Sequence, residues 1–234
     1  MLPLLATKKS DKNNKIIFMP KNRGFFITIE GVEGVGKSTN IDTIKGYLTQ
    51  NKIDFVITRE PGGTLIAEKI RDLLLEINNG EKLSELSELL LIFASRAQHL
   101  EKLIKPALAE GKWVICDRFT DATYAYQGGG RGLDWEKISQ LEELVQGDLR
   151  PDLTIILDLN PQLGLERVKS RGEMDRFEQE KIGFFTKVRA AYLKLAAADP
   201  ERCIVIDASN ELAEVSAQLL TGLDDKLTKL LRNG

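Results

Sequence analysis

The stretch that decides the fold is Phe25-Phe26-Ile27-Thr28-Ile29-Glu30, followed directly by Gly31-Val32-Glu33-Gly34-Val35-Gly36-Lys37-Ser38-Thr39. The first six residues are mostly apolar or β-branched and predict a buried strand, and a helical pattern begins at Lys37. Between them lies the G-x-x-x-x-G-K-S spacing of a phosphate-binding loop. The glycines let the backbone turn tightly and aim its N–H groups inward, and the helix N-terminus adds a positive dipole end. The stretch therefore predicts a P-loop between a strand and a helix.

Two side chains at the end of this loop carry the chemistry of nucleotide binding. Lys37 supplies a point charge for the β- and γ-phosphates of a nucleotide, and Ser38 is placed to bind Mg²⁺. A glycine-rich turn with a purely structural role would leave both residues unexplained. The loop therefore predicts the binding of nucleotide phosphates and Mg²⁺ rather than a simple strand-to-helix connection.

Composition limits the possible classes of protein. A chain of 234 residues with 42% hydrophobic content can bury one sizeable core, and we favour a single domain. The formal net charge of −2 gives no overall basic field, so we expect no nucleic-acid partner. No apolar run has membrane-spanning length, so we expect no membrane association. Cys116 and Cys203 each lie in an apolar run, which favours buried free thiols over a disulfide.

The N-terminal segment differs in composition from the rest of the chain. Residues 1–23 contain six Lys or Arg and one Asp, with no helical period, which predicts a flexible basic extension. The apolar run 2–6 is too short for a secretory signal. Because Met19 lies just before the first strand, residues 1–18 are interpreted as an upstream extension that the fold does not need. The predicted folded domain is then 24–234.

Strand and helix patterns alternate along this domain. Short apolar runs predict strands at 25–30, 55–58, 113–116, 153–158 and 204–207. Helical patterns are predicted at 37–51, 65–75, 83–110 (continuous or interrupted), 133–145, 161–171, about 184–195 and 212–231. This order is typical of an α/β fold: a doubly wound, five-stranded parallel sheet with helices on both faces.

Charged residues follow two of the predicted strands. Arg59-Glu60-Pro61-Gly62-Gly63-Thr64 comes after the second strand, and Asp117-Arg118 comes after the third. Ligands of open parallel sheets bind beyond the carboxyl ends of the strands, so these residues are expected to share a crevice with the P-loop. An Asp in this position typically holds Mg²⁺ or its water in P-loop enzymes. A rigid Pro-Gly turn, a helix N-cap and surface ion pairs are the alternatives that the sequence leaves open.

Three further segments carry candidate binding groups. Arg96 lies one helical turn from Ile92 and Phe93, so a guanidinium and an aromatic ring are predicted to face one pocket. Residues 119–132 alternate hydroxyl, aromatic and amide groups, which can read a base edge or contact a sugar, before a flexible Gly-rich loop. Residues 168–179 are highly charged, and they are either a solvated connection or a lid over the phosphates.

Two weaker signals are interpreted as structural. Asn51-Lys52-Ile53-Asp54 matches the N-K-x-D motif of GTPases, but it precedes the second strand and no D-x-x-G motif accompanies it. We therefore interpret it as a polar turn. His99 is interpreted as a partly buried polar residue, because no Ser, Cys or second ligand is placed to use it.

Taken in order, the P-loop containing Glu33, the segment 59–63, Asp117-Arg118 and the segment Ala125-Tyr126-Gln127-Gly128 resemble the thymidylate kinase family. The resemblance extends from Gly24 to the C-terminus. It implies Mg²⁺-dependent phosphorylation of dTMP to dTDP by ATP in dTTP synthesis, by a cytoplasmic homodimer. Val35 before Gly36 is similar to the bacterial subtype that lacks a P-loop arginine and uses a lid arginine instead.

The resemblance also implies residue roles. For ATP these residues are Gly31, Val32, Glu33, Gly34, Val35, Gly36, Lys37, Ser38 and Thr39, with Ser38 and Asp117 for the metal. Catalytic roles fall on Lys37, Arg118, Arg171 and Arg176, the last two from the lid. For dTMP, Glu33 would face the 3′-hydroxyl, Tyr126 the 2′ carbon, Arg59, Arg71 and Arg118 the phosphate, and Arg96, Thr123 and Gln127 the base.

One position departs from the family pattern. Many members place the aromatic residue that stacks on thymine four residues before the arginine, where this chain has Ile92, and Phe93 is three residues before it. Either Phe93 turns into the pocket or the helix is shifted locally, and we assign Phe93 to the base.

Rival functions remain open at this point. Another monophosphate or deoxynucleoside kinase would use the same scaffold, and a regulatory protein would hold nucleotide without transfer. The arginine cluster favours a phosphate acceptor, and the absence of switch motifs argues against a regulatory protein. A purely structural protein would not need glycines and arginines at the strand ends.

Overall fold

A five-stranded parallel sheet forms the centre of the molecule. The computed structural model describes residues 23–76, 81–170 and 175–233. Its strands are β1 (Phe26–Glu30), β2 (Phe55–Arg59), β3 (Trp113–Asp117), β4 (Leu153–Asp158) and β5 (Cys203–Asp207). The strand order is β2-β3-β1-β4-β5, and every neighbouring pair is parallel. The predicted parallel sheet is confirmed, and the P-loop strand β1 lies at its centre.

Helices connect these strands. They are α1 (Lys37–Gln50), α2 (Leu65–Leu75), α3 (Glu85–His99), α4 (Lys105–Ala109), α5 (Thr120–Thr123), α6 (Trp135–Gln146), α7 (Pro161–Lys169), α8 (Ile182–Ala198) and α9 (Leu212–Asn233). Two π-helical segments, π1 (Leu100–Ile104) and π2 (Tyr124–Gly130), continue α3 and α5. Within the described ranges, no helix is long and apolar enough to cross a membrane.

Alternating side chains of the sheet reach helices on both faces. Ile27 and Ile29 share a buried cluster with Ile44 of α1. Phe26, between them in sequence, belongs to a second cluster with Leu100 of π1. Because successive side chains of a strand point to opposite faces, the two clusters lie on opposite sides of the sheet. The predicted arrangement of helices on both faces is thereby confirmed.

The Gly-rich segment after β3 differs from its prediction as a flexible loop. It is helical up to Gly130 and packs closely against α8. A methyl group on Gly129 would stand 2.7 Å from Cβ of Ala191, and one on Gly130 would overlap the ring of Phe184. The glycines therefore serve close packing, which overrides their low helix propensity.

Other sequence predictions fall into place around the core. Cys116 and Cys203 are buried free thiols, as predicted. The predicted long helix 83–110 is interrupted by π1. The predicted N-terminal extension lies outside the described residues, apart from Arg23, which forms a bidentate ion pair with Asp152.

Candidate active site

A cavity of about 420 Å³ opens beyond the carboxyl ends of β1, β2 and β3. Its P-loop wall consists of Glu33, Gly34, Val35, Gly36, Lys37, Ser38 and Thr39. The opposite wall includes Glu60, Arg71, Ile92, Arg96, Asp117, Arg118, Thr123, Tyr126, Gln127, Arg167 and Phe177. The size is that of a pocket for a small organic ligand, and the guanidinium groups suit an anionic one.

The P-loop takes the conformation that its glycines predict. Gly31, Gly34 and Gly36 have φ angles of 138°, 72° and 86°, which favour glycine. The loop turns into α1, where Lys37 Nζ donates to the Val32 carbonyl at 3.2 Å. Burial, together with nearby Arg118, lowers the pKa of Lys37. An anion in the cavity would offset this unfavourable charge, so the loop is suited to phosphate. Of the predicted loop residues, Gly31 and Val32 lie behind the cavity wall.

Glu33, Arg118 and Tyr126 form a connected polar cluster on the cavity wall. Glu33 pairs with the Arg118 guanidinium and accepts a hydrogen bond from the Tyr126 hydroxyl at 2.9 Å. Arg118 Nη1 also donates to this hydroxyl, at 2.8 Å. Burial would raise the pKa of Glu33, but Arg118 and Lys37 outweigh burial and lower it. Glu33 is therefore held as a carboxylate, which accepts hydrogen bonds and does not donate them.

Asp117, at the end of β3, has the properties of a metal-binding carboxylate. Its Oδ1 atom is buried and has no hydrogen-bond partner among the residues described. It shares the cavity with the Ser38 side chain. The described residues contain no group of three His, Cys, Asp or Glu suited to a metal. Magnesium at phosphate sites needs only one or two carboxylates, because phosphate and water supply the other ligands. Ser38 and Asp117 therefore fit Mg²⁺.

Arg96 is a fully buried guanidinium aimed at the cavity. Its Nε donates to Glu60 at 2.7 Å, and its Nη2 donates to the Thr123 hydroxyl at 2.9 Å. Its Nη1 is buried and has no partner in the part of the chain that the structure describes. A buried donor without an acceptor is costly, so this atom indicates where a polar ligand group binds.

Phe93 is placed differently from the sequence expectation. It packs with Leu89 and Ile138, and its ring lies 4.8 Å from the Arg96 guanidinium. The cavity wall contains Ile92 instead. One residue corresponds to a rotation of about 100° around a helix, which turns Phe93 toward α6. The assignment of Phe93 to the base is thus corrected. The Phe93 ring packs against the Arg96 guanidinium outside the cavity wall, and Ile92 lines the cavity.

Two predicted arginines also lie off the cavity wall. Arg59 is half-exposed and pairs with Glu68 at 2.9 Å. Arg176 donates from Nε to the Leu74 carbonyl at 2.7 Å and pairs with Glu88 at 2.8 Å. The structure therefore does not bring Arg59 or Arg176 to the P-loop. The other predicted lid arginine, Arg171, lies outside the described residues.

Arg167 is a cavity residue that the sequence reasoning missed. It lies in α7, one residue before the predicted lid, and donates to the Gly34 carbonyl at 3.3 Å. The available signal was Gly164, three residues earlier on the same helix face. A Cβ on Gly164 would stand 2.3 Å from the Glu33 carbonyl oxygen, so α7 packs directly on the P-loop. An isolated glycine inside a helix indicates close packing, but the position of α7 in the fold decides that Arg167 reaches the P-loop.

His99 is more deeply buried than predicted, and it is structural. It has no exposed surface, and its ring nitrogens lie 3.0 Å from Glu60 and 2.7 Å from the Thr58 hydroxyl. These contacts hold Glu60 next to Arg96. The missed role of Glu60 is therefore to position a cavity arginine.

Comparison with known proteins identifies the family. A sequence model described as thymidylate kinase matches residues 29–219. The thymidylate kinase of Ectopseudomonas mendocina is 57% identical over 84% of this chain and 93% of its own. That of Pseudomonas savastanoi pv. phaseolicola is 56% identical over 90% and 99%. This chain belongs to the thymidylate kinase family.

A solved structure of the family agrees with the fold. The crystal structure of thymidylate kinase from Ehrlichia chaffeensis superposes with a TM-score of 0.69 at 38% identity, and covers 86% of this chain and 98% of that one. As a thymidylate kinase, the enzyme phosphorylates dTMP to dTDP. The cavity at the carboxyl edge of the sheet is its candidate active site.

Proposed function

We propose that this cavity holds ATP and dTMP together and transfers the γ-phosphoryl group of ATP to the dTMP phosphate. The proposal rests on one observation: a P-loop lysine, an Asp117 oxygen and an Arg96 donor meet in one cavity, and neither of the last two atoms has a hydrogen-bond partner among the described residues. The first two suit a nucleoside triphosphate with Mg²⁺, and the third suits a base. The site therefore has a donor end and an acceptor end.

At the donor end, the P-loop backbone and Lys37 bind the ATP phosphates. Residues 33–39 line the cavity, and Lys37 points into the loop toward the Val32 carbonyl. Arg167 adds positive charge from α7. Ser38 and Asp117 would hold Mg²⁺, which would neutralise charge on the phosphates. Arg171 remains the predicted lid arginine.

At the acceptor end, Arg71 and Arg118 bind the dTMP phosphate. Both line the cavity, and Arg71 is oriented by its hydrogen bond to the Pro61 carbonyl at 2.9 Å. Arg59 pairs with Glu68 outside the cavity, so we assign it no direct contact. Two guanidinium groups suffice to orient a phosphate, because each presents several donors in one plane.

The thymine end is formed by Ile92, Arg96, Thr123 and Gln127, which line one part of the cavity. Arg96 Nη1 donates to a base carbonyl, and Ile92 supplies apolar contact. Glu33 of the P-loop and Tyr126 contact each other on the cavity wall, and we assign the deoxyribose to this pair. The Glu33 carboxylate accepts a hydrogen bond from the 3′-hydroxyl, and the Tyr126 ring leaves little room for a 2′-hydroxyl.

The reaction needs positioning more than covalent catalysis. A phosphate oxygen of dTMP is already a nucleophile, so the protein needs no essential general base. Arg118 and Lys37 bring the two anions together by offsetting their repulsion. Phe177, whose ring packs against Tyr126 with centroids 6.1 Å apart, adds apolar surface to the cavity wall, which disfavours water as the competing acceptor.

ADP formation by the purified enzyme tests this proposal. Reactions contain ATP, Mg²⁺ and one acceptor each: dTMP, dUMP, dCMP, dGMP, AMP or thymidine. Strong preference for dTMP is expected. Preference for thymidine would indicate a nucleoside kinase, and turnover without an acceptor would indicate a nucleotide hydrolase. Lys37→Met is the negative control for ADP formed by contaminating enzymes, because it removes the P-loop charge and should abolish turnover by this enzyme.

We propose further that the enzyme is a homodimer in the cytoplasm. The neighbouring helices α2 and α3 expose apolar residues, namely Leu65, Ile66, Leu73, Leu86 and Leu90. Such a patch favours a symmetric protein contact. Two free cysteines fit a reducing compartment.

Light scattering tests the dimer. A mass near twice 26.2 kDa is expected for the enzyme, and Leu90→Lys should lower it toward a single chain. Leu144→Lys, at an 80%-exposed leucine of α6, is the matched control and should leave the mass unchanged. A monomeric unmodified enzyme would contradict the proposal.

A further inference from the structure

Glu88 is a buried carboxylate beside the base end of the cavity, and the proposed reaction does not use it. It lies in the first turn of α3 and is 1% exposed. Gln127 Nε2 donates to its Oε1 at 2.7 Å. Arg131 donates to it at 3.3 Å, and Arg176 pairs with its Oε2 at 2.8 Å. Residues from two separate segments, the stretch 124–131 that contains π2 and the stretch that contains Arg176, therefore converge on one side chain of α3.

The arrangement sets the orientation of the Gln127 amide. Flanked by two guanidinium groups, the Glu88 carboxylate acts as a hydrogen-bond acceptor on both oxygens. Its partner at 2.7 Å must then be the NH₂ group of Gln127. The carbonyl oxygen of Gln127 is the polar atom left for the cavity, which Gln127 lines beside Arg96 and Thr123. Without Glu88, the two ends of this amide would be nearly equivalent in shape.

We propose that Glu88 is a specificity-determining positioning residue that presents the Gln127 carbonyl oxygen to the base and so selects a pyrimidine with a hydrogen on ring nitrogen N3. Thymine carries this hydrogen, whereas cytosine has an acceptor at the same position. The inference rests on the proposed placement of thymine beside Gln127. It extends that placement, because Glu88 itself contacts no substrate.

The chemistry gives the size of the effect. Two acceptors that face each other in a buried site both lose their hydrogen bonds, which weakens binding by about 10- to 100-fold. A freely turning Gln127 would instead donate its NH₂ group to cytosine N3 and remove that penalty. Discrimination at N3 therefore depends on the hydrogen bond by which Glu88 fixes the orientation of the Gln127 amide.

The test is Glu88→Gln, a neutral substitution of nearly the same shape that can both donate and accept. The substrates are dTMP and 5-methyl-dCMP, which share the methyl group and the sugar phosphate and differ at the hydrogen-bonding edge of the base. The ratio of their kcat/KM values is expected to fall by about 10-fold or more, mainly through KM. The KM for ATP should stay unchanged.

Two variants separate positioning from general structural damage. In a Gln127→Ala background, adding Glu88→Gln should leave the ratio unchanged, because the group that Glu88 orients is gone. Arg131→Gln removes one partner of Glu88 but leaves Arg176, so it should keep the ratio of the unmodified enzyme. An unchanged ratio in Glu88→Gln, or the same fall in both backgrounds, would overturn the inference.

A measurement on the unmodified enzyme covers the case in which Glu88→Gln fails to fold. The NMR signal of the Gln127 NH₂ group, identified by its loss in Gln127→Ala, should exchange slowly with water both before and after dTMP binds, because Glu88 holds this group in a buried hydrogen bond. Rapid exchange with water in the enzyme without dTMP would contradict the inference. If the unmodified enzyme shows no dTMP-dependent ADP formation, the proposed function itself is contradicted. If the enzyme prefers dTMP but the Glu88 variants or the NMR measurement give the contrary result, only the inference about Glu88 is contradicted.

Discussion

Arg118 has a φ angle of +67°, in the left-handed region that residues other than glycine rarely adopt. The conformation is held by several contacts: its N–H donates to the Ile29 carbonyl at 3.0 Å, and its guanidinium reaches the Gly31 carbonyl at 3.0 Å. Backbone strain of this kind is concentrated at functional sites, where surrounding contacts maintain it. This conformation directs the Arg118 side chain from the end of β3 toward the P-loop, where the proposed function places the acceptor phosphate.

Replacement of Arg118 by Ala should reduce kcat/KM for dTMP by roughly 100- to 1,000-fold, because a charged donor aimed at the transferring group is lost. Arg59→Ala is the matched control, since Arg59 pairs with Glu68 outside the cavity. It should change kcat/KM by less than about threefold. Steady-state ADP formation gives both values. Near-normal turnover in Arg118→Ala would remove this residue from the mechanism.

Glu30, the last residue of β1, is a carboxylic acid with no exposed surface. Burial, with nearby Asp121, raises its pKa from 4.5 to about 8. It accepts hydrogen bonds from the Phe119 N–H at 2.7 Å and from the Tyr192 hydroxyl at 2.8 Å. The folded protein therefore binds a proton at Glu30 that the unfolded chain has released over this pH range.

This difference predicts a pH-dependent stability. The contribution of protonated Glu30 is complete below pH 4.5 and is lost as the pH rises to about 8. As the pH rises through this range, the free energy of unfolding of the unmodified protein should fall relative to that of Glu30→Gln. The fall should be at most about 1.4 kcal/mol per pH unit. Urea unfolding of both proteins between pH 5 and 9 measures it. Parallel pH profiles would show that Glu30 titrates normally.

At the scale of elements, the packing of π2 against α8 decides the shape of the cavity wall. Tyr126 and Gln127 of π2 line the cavity, and Gly129 and Gly130 follow them against α8. The glycines allow π2 to lie close to Phe184 and Ala191. The same contact that stabilises the two elements therefore holds Tyr126 and Gln127 in position on the cavity wall.

Gly130→Ala tests this packing. The added methyl group would overlap the Phe184 ring, so the free energy of unfolding should fall by about 1–3 kcal/mol. Gly183→Ala is the control in α8, where a methyl group meets no atom within 4 Å. It should leave stability unchanged or raise it by up to about 1 kcal/mol through helix propensity. Urea unfolding compares the two, and an equal effect would contradict close packing at Gly130.

At the scale of the whole molecule, contacts of Arg23 and Gly24 anchor the first described residues to the rest of the domain. The Arg23 guanidinium pairs with both oxygens of Asp152 at 2.6 and 2.8 Å, and the Gly24 N–H donates to the Leu108 carbonyl at 2.7 Å. The family match begins nearby, at residue 29. These contacts tie the chain to the residue before β4 and to α4 before β1 begins.

A protein that starts at Met19 should therefore keep the melting temperature and kcat of the full chain, because every contact named above is retained. Adding Arg23→Ala to this shorter protein should cost at most about 1 kcal/mol, since the pair is partly exposed. Calorimetry and ADP formation measure the two effects. Loss of activity on removal of residues 1–18 would show that this segment has a role in the enzyme.

The sequence by itself determined the parts of this protein that depend on neighbouring residues. The G-x-x-x-x-G-K-S spacing gave the P-loop, because its backbone angles and its helix N-terminus arise within nine consecutive residues. Alternating apolar runs gave the strands and most helices, and α2 was predicted with its observed bounds, Leu65–Leu75. The motifs at the strand ends gave the family, which the comparisons confirm.

Only the tertiary structure decided which side chains meet in the cavity. Glu60, Arg96 and Thr123 come from three segments, and their contacts depend on how α3 lies against β2 and α5. Ile92 rather than Phe93 faces the cavity, and Arg167 rather than Arg176 reaches the P-loop, because rotation and packing of whole helices set these directions. Local patterns report backbone conformation and burial. The direction of a side chain at a junction follows instead from long-range packing, which sequence spacing does not encode.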